Sequence, residues 1–409
     1  MHMKNILVIT YWSFPDALIQ TYTLPYVRII KKNLPTGSTV FLLTLEKDRD
    51  LQKSSEQIEL KEGLISDGIQ LIPFVYRPFG LIAFFHWMLI MFRLIWLIHK
   101  SKIQVVHCWA TPAGAIGYLL SVVTGRKLVL DSYEPHAEAM VENGTWKKDS
   151  FAFKILFWLE KKQSQRDTTV IAATKGMQYY AQEKYGTKLN DFWVKPACVD
   201  FNLFSGQKKK NPDLLAALNL TDKIVCVYAG KFGGIYLDRE VFDFFKIAHN
   251  YWGDRFRVML LTSHKQNEIE HYCTQAGLDP GIIRVRFVSH ADVPGYMGLA
   301  DFAITPVRPV PTKRYCTPIK DGEYWALGLP VVIPAHVSDD SDIIEMNHAG
   351  AVLYALKEND YRAAIEKIEA LLKINPDEMF SRIHGLAQRY RSFQIAERVY
   401  ENVYGNGFK

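Results

Sequence analysis

Apolar residues along the chain gather in short runs, separated by longer stretches where apolar positions recur every three or four residues. The runs Asn5–Thr10, Thr39–Leu45, Ile69–Val75, Val105–Cys108, Lys127–Asp131 and Thr169–Ala173 predict strands. Between them, Leu18–Lys32, Leu81–Lys100, Ala113–Thr124 and Ser150–Gln165 carry a helical period. A polar stretch, Ser205–Pro212, with Gly206, Lys208, Lys209 and Lys210, reads as a linker. A second series follows, with strands at Ile224–Ala229, Arg257–Leu261, Val285–Val288, Phe302–Thr305 and Val331–Ile333, and helices at Asp238–Tyr251, Asn267–Ala276 and Pro318–Leu327. The tail, Asp360–Tyr404, is helical by pattern. Strand–helix alternation of this kind predicts an α/β chain of two doubly wound, Rossmann-like domains, each a parallel sheet covered on both faces. Two such domains are expected to face each other across a cleft, since ligands of open α/β sheets bind at the carboxyl ends of the strands.

The most apolar stretch, Phe79–Ile98, contains only His86 and Arg93 as ionisable residues. Its length approaches a membrane span, but Arg93 near its middle is costly in a bilayer. It also falls where an α/β domain needs a crossover helix. Three readings stand: a span, a buried crossover helix, and a part-buried helix that also touches a membrane face. His99, Lys100 and Lys102 follow it directly and suit an anionic surface.

Composition narrows the class. The 409 residues are 48% apolar and 22% charged, which excludes a disordered acidic chain, a collagen-like one and a small disulfide scaffold. The net charge of +6 is too mild to imply nucleic acid, and no nucleic-acid partner is expected. Its distribution matters more. Residues 1–200 hold 24 Lys and Arg against 18 Asp and Glu, whereas residues 201–409 hold 25 of each. The excess therefore lies in the half that carries the apolar stretch. Five dispersed cysteines without a C-x-x-C pair argue against a disulfide framework or a zinc site and suit a reducing cytoplasm. The first apolar run is too short for a signal-peptide core.

No G-x-G-x-x-G follows the first strand, where the turn reads Tyr11-Trp12-Ser13-Phe14-Pro15, and no P-loop, G-x-S-x-G or H-E-x-x-H occurs. The informative segment is Tyr315–Val332. Thr317 suits a helix N-cap, Pro318 the first helical position, and Gly328 the residue after the last turn. Such a helix start offers free N–H groups and partial positive charge to a diphosphate. Lys320 adds a full charge, and Glu323, on the same face, can accept two hydrogen bonds from a ribose. The alternative is a helix with a solvated Lys–Glu pair.

Thr317-Pro318-Ile319-Lys320-x-x-Glu323-Tyr324-x-Ala326-x-Gly328-x-Pro330-Val331-Val332 resembles the donor-binding helix of GT-B glycosyltransferases, most of all the retaining family 4 in its Thr-Pro-x-Lys-x-x-Glu variant. Three further segments resemble family landmarks in order: Val194–Phe204, Tyr228–Gly234 and Ala291–Asp301. There are departures. Tyr315 stands where the family often has a second Glu, Pro15–Gln20 replaces a Gly-Gly loop, Ala197-Cys198 replaces Asn-Gly, and Tyr236 replaces a second basic residue after Lys231.

The resemblance implies a GT-B fold with residues 1–204 as acceptor-binding domain, residues 205–392 as nucleotide-sugar-binding domain, and residues 393–409 as a helix crossing back to the first. It implies a metal-independent hexosyltransferase-type enzyme with no cofactor, taking a nucleotide diphosphate sugar as donor. Gly230, Lys231, Pro318, Ile319, Lys320, Glu323 and Tyr315 are the expected donor contacts, with Lys320 supplying charge that Tyr236 does not. On the acceptor side, Asp131–Glu138 follows a buried strand. His136 or Glu138 is expected to orient or deprotonate the acceptor hydroxyl, with His136 bonding only backbone as the alternative. Glu134 and His107 are placed on the same side, His107 with a structural leaning. Arg308, Lys313 and Arg314 precede the donor helix and read as solvated loop charges rather than phosphate ligands. Asp339, Asp340 and Asp342 read as a helix-starting loop. A lipid-linked acceptor for a cell-surface polysaccharide fits the apolar stretch, with the protein cytoplasmic and peripheral at the inner face of the plasma membrane. Two rivals share the architecture: a sugar-nucleotide epimerase, and a degenerate nucleotide-sugar binder without turnover.

Overall fold

The computed structural model describes residues 4–47, 62–77, 81–166 and 168–405. The chain divides into two compact units, Met1–Lys195 with Gln394–Lys409, and Pro196–Phe393.

The first unit is built on a seven-stranded parallel sheet: β1 Asn5–Ile9, β2 Val40–Glu46, β3 Ile69–Val75, β4 Ile103–Trp109, β5 Lys127–Tyr133, β6 Thr168–Ala172 and β7 Asp191–Val194, in the order β3-β2-β1-β4-β5-β6-β7. Inner strands such as β2 are buried at every position, as a sheet covered on both faces requires. The chain winds outward from β1 to β3 and then returns beside β1, which makes the β1–β4 boundary a topological switch point. Its helices are α1 Leu24–Lys32, α2 Leu81–Lys100, α3 Ala110–Thr124, α4 His136–Glu142, α5 Phe151–Gln165 and α6 Gly176–Tyr180. Crossovers from β3 onward all run the same way, so α2, α3 and α5 share one face, with α3 packed against both α2 and α5.

The second unit repeats the plan with six parallel strands: β8 Ile224–Ala229, β9 Phe256–Leu261, β10 Ile283–Arg286, β11 Phe302–Ile304, β12 Val331–Pro334 and β13 Gly350–Leu353, in the order β10-β9-β8-β11-β12-β13. The switch point here lies between β8 and β11. Helices α7 Pro212–Ala217, α8 Arg239–Trp252, α9 Gln266–Ala276, α10 Val293–Met297, α11 Ile319–Ala326 and α12 Asp340–Met346 precede a tail of three. That tail is α13 Glu358–Leu372, α14 Pro376–Arg391, capped by Asn375, and, after extended Ser392, α15 Phe393–Tyr400, which from Gln394 onward belongs to the first unit.

Two strands escape the sequence pattern. β7 and β13 are four-residue edge strands, the first opening on Asp191 and the second on Gly350. β10 begins two residues before the predicted run, because Arg284 and Arg286 interrupt its apolar signal. Helix α11 starts at Ile319 with Pro318 as N-cap, one residue later than the capping pattern of Thr317 and Pro318 implies. Among the described residues no helix is long and apolar enough to cross a membrane. Phe79 and Gly80, at the head of the predicted apolar stretch, lie outside the described residues.

Candidate functional site

In the second unit, three segments meet at the carboxyl ends of β8 and β11. The Gly230 turn leaves β8 with its N–H donating to the Leu261 carbonyl at 2.9 Å. A side chain at Gly230 would place its Cβ 2.6 Å from the Tyr228 hydroxyl and 3.1 Å from Cε of Lys320. The glycine is thus what lets the Lys320 stem lie directly against the turn. Two residues chosen from separate motifs are neighbours. The Tyr228 hydroxyl donates to the Lys231 carbonyl at 2.6 Å, and the Phe232 N–H donates to His264 Nε2 at 3.1 Å, so the turn after β8 is pinned on two sides. Lys231 itself is exposed.

Helix α11 supplies the other wall. Pro318 and Ile319 form its start, and Pro318 as N-cap offers no side-chain acceptor to the first turn. The face of α11 made by Asp321, Gly322, Tyr324 and Trp325 is buried, and Lys320 and Glu323 are only half-buried. The Tyr324 hydroxyl ties the helix to β8 by accepting from the Ala229 N–H at 3.1 Å. Burial pushes the Glu323 carboxyl up to about 7, against the pull of the Lys320 ammonium. Lys320 Nζ lies 5.8 Å from the centre of the Tyr236 ring. Tyr236, the residue that departs from the family pattern, therefore borders the same cation. Tyr315 ends a short turn, Pro311–Tyr315, ahead of the helix. Arg308 is held by the Tyr236 carbonyl and by Asp238 and Glu240, at 3.4, 3.9 and 3.7 Å.

The first unit's residues fall into two groups. His136 opens α4, half-buried, with Nδ1 3.4 Å from Glu134 Oε1. Thr111 fixes the Glu134 carbonyl at 2.6 Å. Glu138 accepts from the Tyr180 hydroxyl at 2.7 Å. Beneath them sits Glu160, missed in the sequence, whose two oxygens accept from the Ala137 N–H and the Tyr185 hydroxyl at 2.9 Å each. Burial raises its pKa to about 8. Ala110 and Ser132, both with positive φ (66° and 51°), mark strained backbone at the ends of β4 and β5.

His107 is in the other group. It has no exposed surface, and its ring nitrogens face the Tyr404 hydroxyl at 2.6 Å and Asp131 at 3.4 Å. It sits within a buried cluster rather than at a ligand-facing edge. Asp131 also pairs with Lys195 at 3.2 Å and accepts from Tyr400 at 2.5 Å. Burial alone would raise the Asp131 pKa, but Lys195, His107 and Tyr400 outweigh it and hold the group at about 2. Lys195 Nζ lies 3.9 Å from the Tyr26 ring centre, a cation held among aromatics. This cluster anchors α15 and the turn after it onto β4 and β5.

The shared face of α2, α3 and α5 is apolar where it meets solvent. Phe85, Met88, Leu89, Phe92 and Trp96 recur at helical spacing on α2, with Phe92 63% and Trp96 59% exposed. Leu119, Val122 and Val123 on α3 and Phe151, Ile155 and Trp158 on α5 are exposed too. The three helices carry Arg93, Lys100, Lys154, Lys161 and Lys162 against one acid, Glu160, which is buried. Lys100 lies 4.3 Å from the Trp96 ring centre and Lys162 5.9 Å from that of Trp158.

The chain matches no sequence-family model and none of the curated proteins. Solved structures do resemble it. HepE of Anabaena in complex with UDP aligns with a TM-score of 0.70 at 14% identity, covering 98% of this chain and 99% of that one. Sucrose-phosphate synthase of Thermosynechococcus elongatus aligns at 0.71 and 14%, covering 98% of each. WaaG, a glycosyltransferase involved in lipopolysaccharide biosynthesis, aligns at 0.66 and 13%, covering 98% of this chain and 100% of that one. The fold is GT-B.

Proposed function

We propose that this protein is a glycosyltransferase that moves a sugar from a nucleotide diphosphate sugar to a hydroxyl acceptor. The observation that carries this reading is the contact of Lys320 with the Gly230 turn at the switch point of the second sheet, beside the N-terminal start of α11. There the diphosphate meets backbone N–H groups, the helix's partial positive charge and one full cation. Glu323, one turn along, accepts the ribose hydroxyls. Binding of UDP or UDP-glucose by structurally similar HepE supports a nucleotide-sugar donor.

In the reaction, the acceptor oxygen bonds to the anomeric carbon as the bond from that carbon to the diphosphate breaks. The diphosphate leaves with the electron pair. Negative charge grows on it in the transition state, so Lys320 and the α11 N–H groups stabilise the transition state more than the ground state. Retention of anomeric configuration follows from the family resemblance. In the first unit, His136 leaning on Glu134 orients the acceptor hydroxyl and takes its proton; Glu138 is engaged by Tyr180 and holds the loop.

The acceptor is a lipid-linked glycan of a cell-surface polysaccharide, and the protein works at the cytoplasmic face of a membrane. An apolar three-helix face with basic residues beside tryptophans supports this, since aromatic rings settle at the headgroup level and lysines reach anionic lipid from there.

The test is a panel of UDP, GDP and ADP sugars assayed for nucleoside diphosphate release, with and without lipid-linked acceptors. Acceptor-dependent release by wild type and its loss in Lys320→Ala is expected. Sugar-nucleotide conversion without acceptor, or binding without any turnover, would overturn the transferase reading.

A further inference from the structure

The buried side of α11 contains an acid where the helix packs into the core. Asp321 has no exposed surface and shares its face with Tyr324 and Trp325. An isolated carboxylate there would be prohibitively costly. The Thr305 hydroxyl, just beyond β11, donates to Oδ1 of Asp321. Oδ2 has no N–H or O–H donor among the described residues, and the neighbour it interacts with is the Asp340 carboxyl at the start of α12. Asp340 in turn accepts from the guanidinium of Arg391, the last residue of α14. Arg391 is itself buried. Its stem runs under Gly322, where an added Cβ would sit 3.1 Å from Cγ, and its guanidinium lies 5.3 Å from the Trp325 ring centre.

Two acids and one cation thus share a closed space. With both carboxyls ionised the set would carry an uncompensated negative charge, and two carboxylates would touch without a hydrogen between them. One proton removes both problems. The Tyr324 phenol on the same helix also acts on this carboxyl, but burial pushes its pKa far up and it does not replace that proton.

We propose that Asp321 is a positioning residue for the donor site, a neutral acid that donates its proton to Asp340 and so fixes the first turn of α11 to β11, α12 and the end of α14. Lys320 precedes it and Glu323 follows it, so the register of both depends on this anchor. Burial and the Asp340 carboxylate push the Asp321 pKa well above the usual carboxylate range, in keeping with that state. The role rests on the donor-site reading above.

The experiment compares wild type, Asp321→Asn and Asp321→Leu as full chains. The Asn amide reproduces the protonated acid: its NH2 donates to Asp340 and its carbonyl accepts from Thr305. Leu fills the space and leaves both neighbours a partner short. Calorimetry with UDP, GDP and ADP as probes should give D321N within about twofold of wild type, and D321L at least tenfold weaker while still folded by circular dichroism. Unfolding from pH 5 to 7.5 supplies a second readout. Wild type holds a proton that its unfolded chain releases above about pH 4, so its stability falls as pH rises. The folding constant of D321N relative to wild type should therefore grow about tenfold per pH unit. A ratio flat in pH, or D321N as damaging as D321L, would overturn the proposal. If wild type binds no nucleoside diphosphate, the donor reading and the positioning role fall together, while the unfolding series still decides whether the proton is shared.

Discussion

Replacing Phe92 and Trp96 together by serine should release the protein from anionic membranes. The two side chains are 63% and 59% exposed on the outer face of α2. Aromatic side chains bury roughly 200 Å² each, so about 120 Å² of each ring is free to enter a lipid interface. At about 25 cal/mol per Å² that is about 3 kcal/mol per residue if fully immersed, and about half that at headgroup depth. Losing both costs about 3 kcal/mol, or roughly a hundredfold in partition coefficient. Lys100, which rests on the Trp96 ring, should lose its placement as well. Folding should be spared, since exposed substitutions away from buried networks usually shift stability by no more than about 0.5 kcal/mol. The assay is co-sedimentation with vesicles of phosphatidylglycerol and phosphatidylcholine, set against phosphatidylcholine alone. Wild type should bind the anionic vesicles, weaken with added salt, and bind neutral ones poorly. Equal partition of wild type and F92S/W96S would refute the reasoning, as would wild-type binding indifferent to lipid charge.

Three further outcomes follow from individual groups. With Glu323 at about 7 in the free protein, nucleoside diphosphate affinity by calorimetry should rise about tenfold from pH 6 to 8 as the carboxylate forms, and Glu323→Gln should bind more weakly and without that dependence. Gly230→Ala should weaken the same binding at least tenfold with little change in melting temperature, because the new methyl pushes on Lys320 Cε and the Tyr228 hydroxyl. Asp131→Asn should destabilise the first unit by about 3 kcal/mol at neutral pH, since it removes the carboxylate that pairs with the buried Lys195 ammonium. Wild type itself should lose a comparable increment as pH falls from about 4 to 2, where Asp131 protonates in the native state; limited proteolysis of the tail after Ser392 would report both.

The inner strands were legible because burial on both faces writes an unbroken apolar run, as at Val40–Glu46. The edge strands β7 and β13 were not, since β7 opens on Asp191 and is half-buried throughout, and β13 opens on Gly350. Lys320, Glu323 and Gly230 could be picked from local motifs, yet only the fold shows that the Lys320 stem lies on the Gly230 turn. Asp321 was invisible for a different reason. Nothing in Lys320-Asp321-Gly322-Glu323 distinguishes a buried acid from a solvated one until the helix is set on its core, although its shared face with Tyr324 and Trp325 was a cue. The Asp131–Lys195–Tyr400 cluster joins residues far apart in the chain, and pairing over such distances carries no local signal. For the apolar stretch the sequence left three readings. The structure places its described part on a crossover helix that buries Ile90, Leu94 and Ile98 and exposes Phe92 and Trp96.

The most direct test of the donor site is calorimetric titration of wild type, Lys320→Ala and Glu323→Ala with UDP, GDP and ADP and the matching nucleotide sugars. The account predicts that one nucleotide series binds wild type. Lys320→Ala should bind that series at least tenfold more weakly, through loss of a charge-assisted contact to the diphosphate, and should lose affinity for the diphosphate and the sugar nucleotide alike. Glu323→Ala should weaken binding through the ribose. Unchanged affinity in both variants would contradict the site at α11 and the Gly230 turn.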